Sequence, residues 1–158
     1  MSNVYVISDL HFGHKNICNF RSELGLSTEE EHAEVIIDRW NSVVRKRDTV
    51  WVLGDACFSL ECLPRFSRMK GNKCLVLGNH DVDAKHFLPY FSRITGFARY
   101  RGAWLSHAPI HPDELRGRVN VHGHTHNFLI NDKRYISACC EQLKYTPTNL
   151  NDLLIRGD

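Results

Sequence analysis

Residue types that ligate metal ions follow three short β-rich runs in the first half of the chain. Asp9 and His11 come after the first run, Asp55 after the second, and Asn79 after the third. On an extended segment, side chains two positions apart point to the same side, so Asp9 and His11 can reach one ion. Sites in α/β sheets form beyond the carboxyl ends of the strands, so we expect these three groups to converge.

Histidines of the second half complete the set. His107 follows another strand-like run, and His124 and His126 are again two positions apart, which brings the candidate ligands to seven. A zinc-like site takes only about three or four protein ligands. Seven ligands suit two ions that share a bridging carboxylate, an arrangement that stabilises both the attacking and the leaving oxygen of a phosphoryl displacement. Mixed imidazole and oxygen donors predict two divalent transition-metal ions as cofactors, with Mn²⁺ favoured and Fe, Zn, Ni or Co as alternatives.

The elements that must position these residues alternate between strand and helix in the first half. A Ser-x-x-Glu capping box at Ser27 and Glu30 precedes apolar residues at helical spacing and predicts a helix that runs to about Arg45. Apolar runs without alternation indicate strands that are covered on both faces. The predicted strands are 4–8, 49–53 and 73–77, and a further helical segment is predicted over 60–69. This β-α-β-α-β order predicts an α/β fold.

The second half is richer in predicted strands. Runs over 97–101 and 103–106, joined near Gly102, predict a hairpin. Further short strands are predicted over 119–122, 128–130 and 134–138, and a last helical turn over 149–155. The sequence contains no internal repeat and no linker, so we predict a single domain over residues 1–158.

Composition excludes several classes of function. The chain has 158 residues, of which 42% are hydrophobic, and a net charge of +2, which argues against strong non-specific attraction to DNA or to anionic membranes. No window approaches the roughly 20 apolar residues that a membrane helix needs, and the N-terminus resembles no export signal. We therefore expect a cytoplasmic protein whose six cysteines are reduced thiols.

Five motifs in chain order resemble those of the calcineurin-like metallophosphoesterases. They are DxH, GD, GNHD, a lone histidine and GHxH, and they run from residue 9 to residue 126. The segment DLHFGHKNI, which begins at Asp9, also resembles the small phosphoesterases of this family found in bacteria and phages. The resemblance implies the family fold, an α/β (α+β) four-layer arrangement in which a two-sheet β-sandwich is flanked by helices.

The resemblance also implies a role for each matched residue. Asp55 would bridge two ions, with Asp9, His11 and His126 on the first and Asn79, His107 and His124 on the second. A metal-bridging hydroxide would be the nucleophile. His80 would serve as an acid or electrostatic stabiliser at the phosphoryl group, and Asp81 would orient its ring.

These observations predict a metal-dependent phosphoric ester hydrolase. We expect it to act on a phosphate mono- or diester of a small molecule such as a nucleotide, because 158 residues leave little room for a substrate-selecting cap. The alternatives are a nuclease acting on DNA or RNA, which the near-neutral charge disfavours, and a protein phosphatase. A catalytically inactive scaffold is disfavoured because the ligand set and His80 are complete. The oligomeric state is not indicated.

Several residues outside the motifs could also contribute. His14 and His111 are candidates for substrate binding, because each lies close in sequence to a predicted ligand. His122 is expected to be buried beside the site rather than to ligate an ion. Cys57, two residues after Asp55, is interpreted as a packing residue and not as a nucleophile, since the metal set is complete without it.

Overall fold

The computed structural model of the chain describes residues 2–156, which form two sheets. The first sheet contains β1 (Val4–Ile7), β2 (Thr49–Val52), β3 (Asn72–Val76), β4 (Arg93–Thr95) and β9 (Thr148–Asn149). Their order in the sheet is β4-β3-β2-β1-β9, in which β1 to β4 run parallel and β9 pairs antiparallel with β1. The carboxyl ends of β1, β2 and β3 therefore lie at one edge, as the sequence predicts.

The second sheet contains β5 (Ala98–Tyr100), β6 (Ala103–Ser106), β7 (Asn120–His122) and β8 (Tyr135–Ser137), in that order. Strands β5 and β6 form the predicted antiparallel hairpin, and β7 and β8 continue the sheet in parallel. A parallel bridge between Ser8 and Cys139 joins the end of β1 to the segment after β8. That bridge brings the carboxyl ends of strands from both sheets to the same edge of the molecule.

Few helices accompany the two sheets. The α-helices are α1 (Ile17–Phe20), α2 (Glu29–Val43) and α3 (Leu150–Arg156). Shorter 3₁₀ segments lie at Ser22–Leu24, Leu60–Arg68, Ala84–Phe87 and Pro112–Glu114. The long 3₁₀ segment stands where a helix is predicted over 60–69, and it contains Pro64, whose missing N–H removes an α-helical hydrogen bond.

Both faces of the first sheet are buried, because successive residues of its strands contribute to different cores. Val50 and Val52 pack with Trp40 of α2 in one core, whereas Trp51 and Leu53 belong to a second core that includes Leu105 and Val121 of the other sheet. Because neighbouring residues of one apolar strand point to opposite faces, one face of the first sheet packs against α2 and the other packs against the second sheet. The predicted fold, two sheets flanked by helices, is confirmed.

Two predicted details are wrong, and two short strands were not predicted. The capping box of α2 uses Thr28 and Glu31, one residue later than predicted: the Thr28 hydroxyl accepts from the Glu31 N–H, and the Glu31 carboxylate accepts from the Thr28 N–H. The segment 128–130 forms no strand, since Phe128 and Leu129 are exposed and pair with no neighbouring strand. Strands β4 and β9 were not predicted, because two or three residues carry too little periodicity to detect.

Two expectations about the chain's environment can be compared with the described residues. None of the described helices has the length and apolar character required to cross a membrane. All six cysteines are free thiols, and five of them are buried.

The helix cap provides a test of the local structure. Thr28→Ala removes the hydroxyl that accepts from the Glu31 N–H, so it should lower the free energy of unfolding by about 1 kcal/mol. Ser27→Ala is the matched control, because the Ser27 hydroxyl does not cap the helix, and it should change stability little. Urea denaturation of both variants measures the difference, and a larger loss for Ser27→Ala would contradict the cap assignment.

Candidate metal centre

The loops that follow β1 and β2 are held together by backbone hydrogen bonds. The Asp9 N–H donates to the Gly54 carbonyl at 3.0 Å, and the His11 N–H donates to the Asp55 carbonyl at 2.9 Å. The two loops therefore run side by side beyond the strand ends. This pairing fixes Asp9, His11 and Asp55 relative to one another before any side-chain contact is considered.

Most of the predicted ligands have an unusual backbone conformation. A non-glycine residue rarely adopts a positive φ, and such residues cluster at functional sites, where the surrounding structure holds them. Five predicted ligands have φ between 48° and 71°: Asp9, His11, Asp55, His124 and His126. Each sharp bend turns a side chain back across the strand ends, toward the centre of the cluster.

Two glycines allow these loops to approach closely. A Cβ atom on Gly78 would overlap the backbone and carboxylate of Asp55, and one on Gly123 would overlap the side chains of Ser8 and Asp9. Any larger residue would clash at these two positions, so the close approach of the loops requires the glycines of the GNHD and GHxH motifs.

A first group of ligand atoms comes from Asp9, His11 and His126. These atoms all lie within 4.8 Å of one another, with Asp9 Oδ1 at 3.6 Å from His11 Nε2 and 3.7 Å from His126 Nε2. Burial opposes ionisation of Asp9, but the neighbouring His11 imidazole and Ser8 hydroxyl lower its pKa well below the ordinary value. The group therefore contains a charged, buried carboxylate facing two imidazole nitrogens.

A second group surrounds His107. Its Nε2 atom lies 2.9 Å from Asn79 Oδ1, 3.2 Å from His124 Nδ1 and 3.5 Å from Asp55 Oδ1. The His107 Nδ1–H donates to the Leu53 carbonyl at 2.8 Å. Burial alone would lower the pKa of His107, but the facing carboxylates of Asp55 and Asp9 raise it overall.

Asp55 lies between the two groups. Its Oδ2 atom is 3.8 Å from His11 Nε2, whereas its Oδ1 atom faces His107. Asp9, Asp55 and His107 also offer ligand atoms within 4.8 Å of one another. All seven predicted ligands are thus brought into one cluster.

The chemistry of this cluster fits metal ions. Asp9 Oδ1 and both ring nitrogens of His11 are buried and have no hydrogen-bond partner among the described residues. Leaving a buried acceptor unpaired costs about 1–3 kcal/mol. A cation between these atoms would remove that cost, and the mixture of carboxylate, amide and imidazole donors is typical of transition-metal sites.

Sequence reasoning missed a buried ion pair beneath the first group. Glu141 Oε1 accepts from His126 Nδ1 at 3.0 Å and from Arg21 Nε at 2.9 Å. Arg21 is almost fully buried and donates a further hydrogen bond to the Asp9 carbonyl at 2.6 Å. Because Nδ1 of His126 donates to Glu141, its Nε2 atom is left to face Asp9. No motif marks either residue, since both act through tertiary contact.

His80 and Asp81 occupy different surroundings. His80 is exposed, its backbone N–H donates to Asp55 Oδ1 at 2.9 Å, and its ring stacks on Phe58 at 5.1 Å between centroids. The Asp81 carboxylate accepts instead from the backbone N–H groups of Ala56, Cys57 and Gly78. Asp81 therefore ties two loops together, and none of these hydrogen bonds is with the His80 ring, so the expected orienting role stays a prediction.

The remaining candidates lie around the cluster. His14 lines the same cavity as His11 and His80, whereas His111 is exposed and lines a separate depression beside Trp104. His122 is buried, and its Nδ1–H donates to the Gly123 carbonyl.

Cys57 is buried, and burial raises the pKa of its thiol to about 12. The thiol therefore stays protonated near neutral pH, which makes it a poor nucleophile.

A cavity of about 340 Å³ opens next to the first group. His11, His80 and His126 form the side nearest the cluster, and Phe20 and Phe58 contribute aromatic walls. Its volume is near the lower end of the range for small-molecule sites, roughly 300–1,000 Å³.

The chain is similar in sequence to a phage protein and to an archaeal protein. The chain is 34% identical to the Gene 66 protein of Mycobacterium phage L5, over 82% of this chain and 80% of the phage protein. It is 32% identical to the uncharacterized protein MJ1445 of Methanocaldococcus jannaschii, over 99% of this chain and 91% of the archaeal protein.

Two solved structures are similar in fold. A protein of unknown function from Aquifex aeolicus, AQ665, superposes with a TM-score of 0.80 at 26% identity, covering 99% of this chain and 100% of the other. A novel archaeal phosphodiesterase has a TM-score of 0.52 at 19% identity, covering 87% and 82% of the two chains; at that identity the likeness concerns the fold alone.

A family model settles the relationship. The model described as calcineurin-like phosphoesterase matches residues 2–153, nearly the whole chain. Together with the clustered aspartates and histidines, the match means that this chain belongs to the calcineurin-like phosphoesterase family and is a metal-dependent phosphoester hydrolase.

Proposed function

We propose that the protein hydrolyses a phosphate mono- or diester of a small, nucleotide-like molecule at a centre of two divalent transition-metal ions. The observation that carries this proposal is the set of buried, unpartnered ligand atoms on Asp9 and His11 at the strand ends. Buried charged atoms and lone-pair donors that lack hydrogen-bond partners are expected where bound cations would interact with them.

Each ion would have its own protein ligands. Asp9, His11 and His126 would hold the first, Asn79, His107 and His124 the second, and Asp55 would bridge them. The two Asp55 oxygens face histidines of different groups, which supports the bridging role. Such ions, Mn²⁺ being favoured, would supply Lewis acidity at the phosphoryl group and lower the pKa of bound water.

His80 is proposed as the group that acts on the phosphoryl oxygens or the leaving group. It is exposed at the edge of the cluster, and its ring is steadied by stacking on Phe58. The backbone bond from His80 to Asp55 couples its position to the predicted bridging carboxylate. A ring held beside the ions but outside both ligand groups is suited to proton donation or charge stabilisation.

The character of the cavity favours a small substrate. None of its lining residues in the described part of the chain is a lysine or an arginine, and Glu141 adds an acidic group. Binding of nucleic acid depends on many basic contacts to phosphates, so the cavity offers little to a polymer.

The six cysteines are free thiols, which supports a reducing compartment, and we propose the cytoplasm.

Metal content tests the two-ion centre. The protein purified from Mn²⁺-supplemented medium should contain two transition-metal ions per chain by elemental analysis. Asp55→Asn should lose metal and activity together, because it removes the charge proposed to bridge the ions. Cys57→Ala, a neighbouring change outside the ligand set, should retain both ions. A single ion in the wild type after incubation with excess Mn²⁺ would contradict the proposal.

Substitution of His80 should have a different effect from substitution of Asp55. His80→Gln should retain both ions, while kcat falls by roughly 10²–10⁴-fold, the contribution of a positioned acid–base group. The loss should be largest for alkyl esters, whose leaving groups need a proton, and smaller for nitrophenyl esters. The test measures the metal content of the variant and its kcat for a series of esters with different leaving groups. Loss of an ion would identify His80 as a ligand instead, and an equal loss across the series would indicate charge stabilisation.

The buried Glu141 provides a third test. Glu141→Gln removes the carboxylate that orients His126 while keeping its shape, so it should weaken binding of one ion about 10- to 100-fold. Glu34→Gln is a matched control, because Glu34 also pairs with an arginine, Arg68, but at an exposed site. Competition with a metal-binding dye measures both affinities. Unchanged affinity in Glu141→Gln would show that the ion pair serves folding only.

A further inference from the structure

The cavity beside the proposed metal centre has an aromatic side that phosphate chemistry does not require. Apolar side chains of Ile17, Phe20 and Phe58 line the cavity, and the Phe58 ring also lies 4.8 Å from the ring of the predicted ligand His11. A phosphoryl group is bound by charge and hydrogen bonds, which apolar side chains do not provide. These residues are therefore expected to contact the part of the substrate that is not phosphate.

Phe20 is held in an exposed position. Its side chain is 69% exposed, at the end of the single-turn helix α1. The next residue, Arg21, is buried and bonded to the Asp9 carbonyl, which anchors the end of this turn to the floor of the cluster. An exposed phenylalanine on an anchored turn presents a preformed apolar surface at the mouth of the cavity.

Phe58 forms the second aromatic surface. Its backbone N–H donates to the Phe12 carbonyl at 2.8 Å, which fixes its place beyond β2. Its ring lies 5.1 Å from His80 and 5.2 Å from His14, and His14 in turn lies 5.6 Å from Phe20. A continuous set of rings thus extends from His80, beside the phosphoryl site, to Phe20 at the solvent.

We propose that this aromatic cavity binds the heteroaromatic base of a nucleotide, with Phe20 and Phe58 as specificity-determining residues. The inference rests on the proposed function, because the phosphoryl group of the same molecule would lie at the ligand cluster. Bases stack on aromatic side chains, and the amide of Asn127 on the lining offers a donor and an acceptor to a base edge. The volume of about 340 Å³ suits one nucleotide rather than a chain of them.

The test compares esters that differ only in the base. Adenosine 5′-monophosphate is paired with methyl ribofuranoside 5-phosphate, and adenosine 3′,5′-cyclic phosphate with the corresponding cyclic methyl riboside. Each pair has the same phosphoryl group and sugar ring. The Mn²⁺-loaded wild type should hydrolyse the base-bearing member of the productive pair with a KM lower by roughly 5- to 100-fold, the range expected for stacking of one base.

Variants assign the effect to the proposed residues. Phe20→Ala should raise KM for the nucleotide toward that of the methyl riboside and leave KM for the methyl riboside unchanged. Phe20→Trp, which keeps an aromatic face, should retain the preference. Phe97→Ala removes another exposed phenylalanine, which packs on Trp104 away from the cavity, and should change neither KM.

Binding without phosphate separates this inference from the hydrolytic function. Adenosine, added to the metal-free protein, should shift the NMR amide signals of Phe20, Phe58 and Asn127, and the shifts should vanish in Phe20→Ala. Methyl ribofuranoside should shift none of them. If no ester is hydrolysed but adenosine binds in this way, the hydrolytic proposal fails and the base-binding site stands.

Two results would overturn the base-binding site. The first is equal kcat/KM for the members of the productive pair in the wild type, together with no adenosine binding. The second is an equal rise in KM for both members in Phe20→Ala, which would show that Phe20 shapes the metal centre and not a base subsite.

Discussion

A carboxylate that is fully buried at the carboxyl end of β1 constrains most of the surrounding structure. Asp9 has no exposed surface, yet its pKa is lowered, so the protein stabilises a charge away from water. An uncompensated buried charge costs several kcal/mol. The compensation comes from several elements: the His124 N–H donates to Asp9 Oδ2 at 2.9 Å, and imidazoles of His11 and His126 face Oδ1.

These compensating groups come from distant parts of the chain, which explains the local backbone geometry. The GHxH loop can donate its N–H to Asp9 only if it lies directly against β1, and Gly123 permits that approach. His124 and His126 then turn inward through positive φ angles. Unfavourable backbone conformations are thus retained where they bring ligand atoms together, and the packed sheets around them supply the stability that offsets the strain.

A second set of buried charged groups, the side chains of Arg21 and Glu141, supports Asp9 and its neighbours. Arg21 joins the Asp9 carbonyl to the Glu141 carboxylate, and Glu141 in turn holds the ring of His126. Burial would raise the pKa of Glu141, but His126 and Arg21 lower it overall, so the carboxylate is charged. Phe20 immediately precedes Arg21 in the chain. The turn that Arg21 anchors beneath the ligand cluster therefore also places an aromatic side chain at the mouth of the cavity.

The predicted ligands and their common edge of the fold follow from the sequence alone. Strand-like runs that end in Asp9, Asp55 and Asn79 required no tertiary information, because the carboxyl ends of parallel strands share one edge. The helix after Thr28 was also predictable, although the choice between adjacent Ser27 and Thr28 as its cap was not, since both hydroxyls precede a glutamate by three residues. The short strands β4 and β9 form only because longer neighbours offer them hydrogen bonds.

The surroundings of the predicted ligands depend instead on tertiary contacts. Asp81 accepts three backbone N–H groups because the loop after β2 packs against it, which no local pattern reveals. Arg21 and Glu141 are 120 positions apart, and Phe20 and Phe58 line the same cavity from separate segments of the chain. Motif residues are recognisable because metal ligation restricts residue type and spacing, whereas orienting pairs and cavity walls depend on contacts that arise only when the chain is packed.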